Sequence, residues 1–176
     1  ALLLIIPVRA LSAYSILKDS RDTVQTQGTN AFQSLKASGG AFLAIQNTEA
    51  INDIQQALAL FNKANGELAE IGPITKTLLR LSPNRFSQFE TGSHSLRAGE
   101  FISRALLPLT TALETLKNPT NGQLTERLLT FQKALQGSLP FIKYANIELR
   151  DVNPDALPEA YSLQFQTIKN YLRDLE

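Results

Sequence analysis

Cysteine, methionine and tryptophan are all missing from this 176-residue chain. Without cysteine there is no disulfide framework and no thiolate metal site. An aromatic content of 7% with no Trp leaves neither a base-stacking platform nor an aromatic cage. Neither sign of charge dominates: 17 Lys and Arg against 16 Asp and Glu give a net charge of +1, mixed along the chain. Such a balance carries no electrostatic footprint for nucleic acid. No segment alternates apolar and polar residues for long enough to make a strand. A native reading frame opens on Met, so a chain with none reads as a cut or processed piece.

What is present begins with an apolar start, Ala1–Val8, continued by Leu11, Ala13, Tyr14, Ile16 and Leu17. A bilayer span takes about 20 apolar residues, and fewer stand here. A signal-peptide core followed by Ala10-Leu11-Ser12-Ala13 is one reading. A buried helix opened by Pro7 is another. The favoured expectation is the outer end of a truncated transmembrane or signal-anchor helix, because Tyr14 and Lys18 suit an interface, although Arg9 must then snorkel. The chain therefore divides into a membrane segment over 1–17 and a helical domain over 18–176. A composition of 43% hydrophobic and 19% charged residues suits a folded core in that second part.

Helical periodicity runs through the remainder. Ala50, Ile54, Ala57, Leu58, Phe61, Ala64, Leu68 and Ile71 step by threes and fours into one stripe. Gly72-Pro73 stops that helix and starts a short one, which Ser82-Pro83 ends. Gly99, Ile102, Leu106, Leu109, Leu113 and Leu116 form a second stripe around Pro108, a residue expected to bend it. Thr120-Asn-Gly-Gln123 matches a capping box that opens a third stripe: Leu124, Leu128, Phe131, Leu135, Leu139, Ile142, Ala145 and Leu149. Asn153-Pro154 and Leu157-Pro158 mark a turn, and Tyr161, Phe165, Ile168, Leu172 and Leu175 make a last stripe. Gly39-Gly40 is expected to loosen the first helix. The expected fold is all-α: an elongated antiparallel helical bundle of five or six helices with proline-marked connections. With these stripes as the core, Leu128→Asp or Leu109→Asp should destabilise strongly.

Chemistry is sparse. His94 shares a helix face with Glu90, but one such pair is weak as a metal site, and a solvated His near a helix start is the expectation. Glu49 with Asp53 and Glu67 with Glu70 fall between apolar positions, on a wet face. Arg97, Glu100 and Arg104 read as a surface ion-pair ladder. Gly92 and Gly99, seven apart, either admit a neighbouring helix or mark a loop before Ser93. No nucleophile is flanked by a base, and no glycine opens a phosphate loop. The site expectations are accordingly no catalytic, cofactor-binding or metal-binding residue.

In its order of elements the chain resembles bacterial envelope proteins of the domain of unknown function 4012 family. The residues that carry the likeness are Ala50…Ala57-Leu58…Phe61…Ala64, Ile71-Gly72-Pro73, Gly92-Ser-His-Ser-Leu96-Arg-Ala98-Gly99 and the Leu-rich run to Leu116. Leu157-Pro-Glu159 through Leu175 resembles the last helix before the family's main domain, whose Gln-Asn…Glu-x-Arg…Gly-Gly motif does not occur here. The resemblance implies a single-pass membrane protein with an extracytoplasmic helical stalk, loosely linked to envelope polysaccharide, and no residue role passes with it.

The expected function is a non-catalytic stalk or interaction module. Its partners would be the bilayer, through the N-terminal segment, and a protein domain or envelope component, with no nucleic acid. It would leave an apolar stripe open to its partner. The alternatives are a ligand-sensing extracytoplasmic bundle, with Arg97 or Arg104 at a pocket, and a soluble helical tether or adaptor.

Overall fold

The computed structural model describes the backbone of residues 2–43, 46–117, 123–157, 165–166 and 169. Side chains are described for 21–41, 46–72, 76–77, 79–117, 123–157, 165–166 and 169. The elements are α1 (Leu2–Leu43), α2 (Asn47–Ala69), α3 (Pro73–Arg80), α4 (Pro83–Lys117), α5 (Leu124–Arg150) and a 3-10 turn over Pro154–Ala156. The all-α expectation is met. Among the described residues four long helices make up the bundle, against the five or six expected, and the eight-residue α3 is a connector; most of the last expected helix lies outside the described residues.

α1 is one uninterrupted helix that passes through Gly39 and Gly40, and the expected boundary between residues 17 and 18 falls inside it. Among the described residues no helix is long and apolar enough to cross a membrane. Pro73 and Pro83 each take the first position of a helix, where a missing N–H costs nothing. Pro108 and Pro140 lie within α4 and α5, which continue past them. The expected capping box is not formed. Gln123 is itself the residue before the first turn of α5, in extended conformation and without a side-chain cap bond; Thr120–Gly122 lies outside the described residues.

The helices pack in the order α1, α2, α4, α5, with α1 also touching α4. Small residues at seven-residue spacing set that order. Ala50, Ala57 and Ala64 repeat along α2, and Asn47, Ile54 and Phe61 repeat beside them, all buried. On α4, Leu96, Ser103 and Thr110 form one buried row with Gly99, and Thr91, Ala98, Ala105 and Ala112 form another. Rows of Ala, Gly, Ser and Thr let backbones approach closely, so α4 takes a neighbour on each of two faces. Two of the buried hydroxyls are satisfied within the helix: Ser103 donates to the Gly99 carbonyl and Thr110 to the Leu106 carbonyl, both at 2.9 Å.

The main core joins the first hairpin to α4. Phe61 is fully buried with Ala31, Ala57, Ala64 and Leu96, and its ring meets that of Phe32 edge-on at 5.0 Å. The α2 stripe expected from sequence is this core, with Leu58, Leu68 and Ile71 half-buried at its margin. A second cluster joins Ala98, Leu149, Val152 and Phe165. Phe165 belongs to the last expected stripe; Tyr161, Ile168, Leu172 and Leu175 fall outside the described residues.

The other two expected stripes are corrected. On α4 the buried positions are, apart from Leu96, small residues, Gly99 of the expected stripe among them, whereas Ile102, Leu106, Leu109, Leu113 and Leu116 are only half-buried. On α5 half of the expected core faces solvent: Leu124 is 60% exposed, Leu128 51%, Leu135 45% and Leu139 48%, while Ala145 and Leu149 are buried as expected and Phe131 and Ile142 are half-buried. The reason is architectural. Among the described residues α5 rests on α4 and has no substantial packing on α1 or α2, so one helix face serves an apolar surface wide enough for two neighbours.

Candidate interaction surface

His94 lies three turns inside α4, not near its start, because α4 opens at Pro83 and runs through Gly92. Its Nε2 stands 3.7 Å from Glu90 Oε2, the helical pairing expected from the spacing. The shorter contact comes from α5, where Glu148 Oε2 lies 2.7 Å from His94 Nδ1. Arg97 Nη1 approaches the other oxygen of Glu148 at 3.8 Å. His94 and Glu148 are both largely shielded, at 18% and 16% side-chain exposure. A shielded, short, charge-capable hydrogen bond between two helices fixes their register. The two carboxylates address different ring nitrogens and do not converge. Among the described residues no three His, Cys, Asp or Glu side chains are grouped to hold a metal ion.

The expected ladder of Arg97, Glu100 and Arg104 is split between neighbours. Arg104 makes two contacts to Glu100 Oε1, at 2.9 Å from Nε and 2.7 Å from Nη2. Glu100 Oε2 accepts from Asn65 Nδ2 of α2 at 2.7 Å, while Arg97 turns toward α5. The three residues thus tie α4 to both flanking helices. Glu49 and Glu70 are exposed, and Asp53 and Glu67 half-buried, along α2.

The two glycines have different reasons. A Cβ on Gly99 would lie 2.3 Å from Phe61 Cζ, and on Gly92 it would meet nothing within 4 Å. Gly99 is the close-approach position and Gly92 is not. Neither stands in a loop.

The most unusual surface lies on α5. At about 100° per residue, Leu124, Leu128, Leu135 and Leu139 fall within about 60° of arc. Phe131 and Ile142 lie on the same arc and are half-buried. Beside the leucines, Thr125, Gln132 and Gln136 are exposed and uncharged. Glu126 and Lys133 lie on the far side of the helix by the same rotation. On the opposite flank of the α4–α5 seam an open apolar cavity of about 410 Å³ is lined by Leu107, Pro108, Thr111, Thr130 and Ala134. It contains no charged group, so it has nothing with which to orient a polar ligand.

The spacing places the α5 leucines on one face but does not show that, among the described residues, no helix covers them. Nor does it show Glu148 as the partner of His94, since 54 residues separate the two and no local spacing links them. No protein-family profile, no curated protein and no solved structure matches the chain.

Proposed function

We propose that this chain is a non-catalytic helical interaction module that docks a protein partner on the leucine face of α5. The observation that carries the reading is the row Leu124, Leu128, Leu135 and Leu139, each close to half exposed or more on a helix that, among the described residues, is supported from one side only. Isolated surface leucines are ordinary, but a contiguous apolar row rimmed by polar residues marks an interaction surface. The groups best suited to chemistry are engaged in holding helices together: His94 with Glu148, and Glu100 with Asn65 and Arg104.

In this reading the apolar first turns of α1 bring the module to a membrane, and α1 passes without a break from those turns into the bundle. Its length of 42 residues, about 60 Å at helical rise, suits a stalk that holds α5 away from its attachment point. The resemblance to envelope proteins adds an extracytoplasmic setting, with a protein domain or envelope component as the docked species.

A photo-crosslinking residue at position 128, compared with one at exposed Gln55 on α2, tests the docking surface in cells. Adducts are expected from position 128 and not from position 55. Equal labelling, or none from position 128, overturns the assignment. Carbonate extraction and protease access in intact cells test the membrane setting separately. Recovery of the full-length product in the soluble fraction removes it.

A further inference from the structure

The leucine row reads the same in both directions. Leu124, Leu128, Leu135 and Leu139 are spaced four, seven and four residues apart, so the pattern is symmetric about a point between Phe131 and Gln132. A two-fold interface requires one patch that complements itself, with residue i facing j and j facing i. When two α5 helices lie antiparallel across an axis at that midpoint, Leu124 faces the second copy's Leu139. Leu128 faces the second copy's Leu135. We infer that the α5 face is the contact between two copies of this chain, paired antiparallel about residues 131–132. The inference rests on the docking reading above and names its occupant.

Charge favours this occupant over the others. Across a two-fold axis, a charge near the axis meets its own like charge. The row avoids this, because Thr125, Gln132 and Gln136 on one side are neutral, Glu126 and Lys133 are turned away, and Arg127 on the other side is half-buried and donates to the Leu116 carbonyl. A lipid surface selects a different rim, with several Lys and Arg bordering the apolar face, and between residues 124 and 139 the one bordering cation, Arg127, is turned to the Leu116 carbonyl at 2.8 Å. The row is about 22 Å long. With its polar border it approaches the roughly 800 Å² per partner of a standard interface only when most of the helix takes part. A reversible dimer is therefore expected rather than a permanent one. Pairing extends the array of helices to α1–α2–α4–α5 followed by the same four in reverse, and it gives α5 the second neighbour that its apolar width provides for.

The test uses the full chain and its lack of native cysteine. Sedimentation over a concentration series should show the mass rising from 19.4 kDa toward twice that value. Leu128→Lys/Leu135→Lys and Leu128→Glu/Leu135→Glu each place like charges opposite one another. Each should weaken self-association by about tenfold or more, and an equimolar mixture of the two should restore it. Both variants keep the apolar start of α1, so association through that segment is unchanged between them. Register is read by disulfide formation. Leu124→Cys mixed with a size-tagged Leu139→Cys should give the mixed dimer, and Leu124→Cys alone should give almost none. Self-association unaffected by the charge variants, or disulfides formed mainly between two copies of Leu124→Cys, overturns the inference. A chain that stays at 19.4 kDa and forms no mixed disulfide also overturns it. If position 128 still crosslinks to another protein in cells, the docking reading survives that result; if it crosslinks to nothing, both fail.

Discussion

Replacing Gly99 by alanine and Gly92 by alanine should shift stability in opposite directions, although the two glycines lie seven residues apart in one helix. In an exposed helix, alanine is favoured over glycine by about 1 kcal/mol. At position 92 nothing lies within 4 Å of the added carbon, so the gain is retained. With about 2–4 °C per kcal/mol for a chain of this size, melting should rise by up to about 4 °C. At position 99 the added carbon would lie 2.3, 2.5 and 2.8 Å from Phe61 Cζ, Cε1 and Cε2. Carbon contacts are comfortable at about 3.5–4.0 Å, so ring or helix must move by about 1 Å. The ring has no easy escape, being fully buried among Ala31, Ala57, Ala64 and Leu96 and set edge-on against Phe32. Overpacking of this kind costs about 1–3 kcal/mol, and three ring atoms in collision place this case at the upper end. After the helix-propensity gain, Gly99→Ala should lose about 2 kcal/mol and melt about 4–8 °C lower. Thermal denaturation followed by circular dichroism measures both variants. A double-mutant cycle with Phe61→Leu should recover about 1 kcal/mol or more as coupling. An unchanged or raised melting temperature for Gly99→Ala, or a cycle that closes without coupling, refutes Gly99 as the point of close approach.

The remaining predictions concern the outer hairpin. Leu128→Asp should change stability by no more than about 1 kcal/mol, because half of that side chain already meets water, whereas Leu149→Asp should cost about 3 kcal/mol or more by burying an unpaired charge; chemical denaturation separates them. Ala105→Leu should destabilise by about 1–3 kcal/mol, since Ser138 donates to the Ala105 carbonyl at 2.8 Å and leaves no room for a larger side chain at that crossing; urea titration is the measurement. The cycle of His94→Ala and Glu148→Ala should show coupling of about 1 kcal/mol in denaturation midpoints, and strict additivity would mean that the 2.7 Å contact does not secure α4 to α5.

Helix content and punctuation were legible in the sequence because they are local. Pro73 and Pro83 start helices where a first-turn proline is tolerated, and the Ala50–Ala64 row is buried as its period implies. The burial of the leucines was not legible. Periodicity shows that residues share a face but not whether a neighbour covers it, and on α5 the neighbour is absent among the described residues. On α4 the contact is made by the small side chains, while the larger leucines of the 3–4 stripe stand at its margin. The seven-residue run Thr91, Ala98, Ala105, Ala112 was in plain view, and small residues at that spacing mark close helix approach better than leucines do. The pairing of His94 with Glu148 depends on how two helices slide against each other, which no single helix encodes.

The succession α1–α2 then α4–α5 has a kinetic consequence. Each hairpin joins helices adjacent in the chain, so its contacts close early and at small entropic cost. The two hairpins meet chiefly along the rows centred on Phe61 and Gly99. Helix formation within each hairpin should therefore precede their union, and partial opening of the native protein should follow the same line in reverse. In amide-hydrogen exchange the protein would then show two blocks of protection, one up to Ala69 and one from Pro83 onward. The collision that Gly99 avoids would act on the joining step, leaving the slowest-exchanging amides inside each block unchanged.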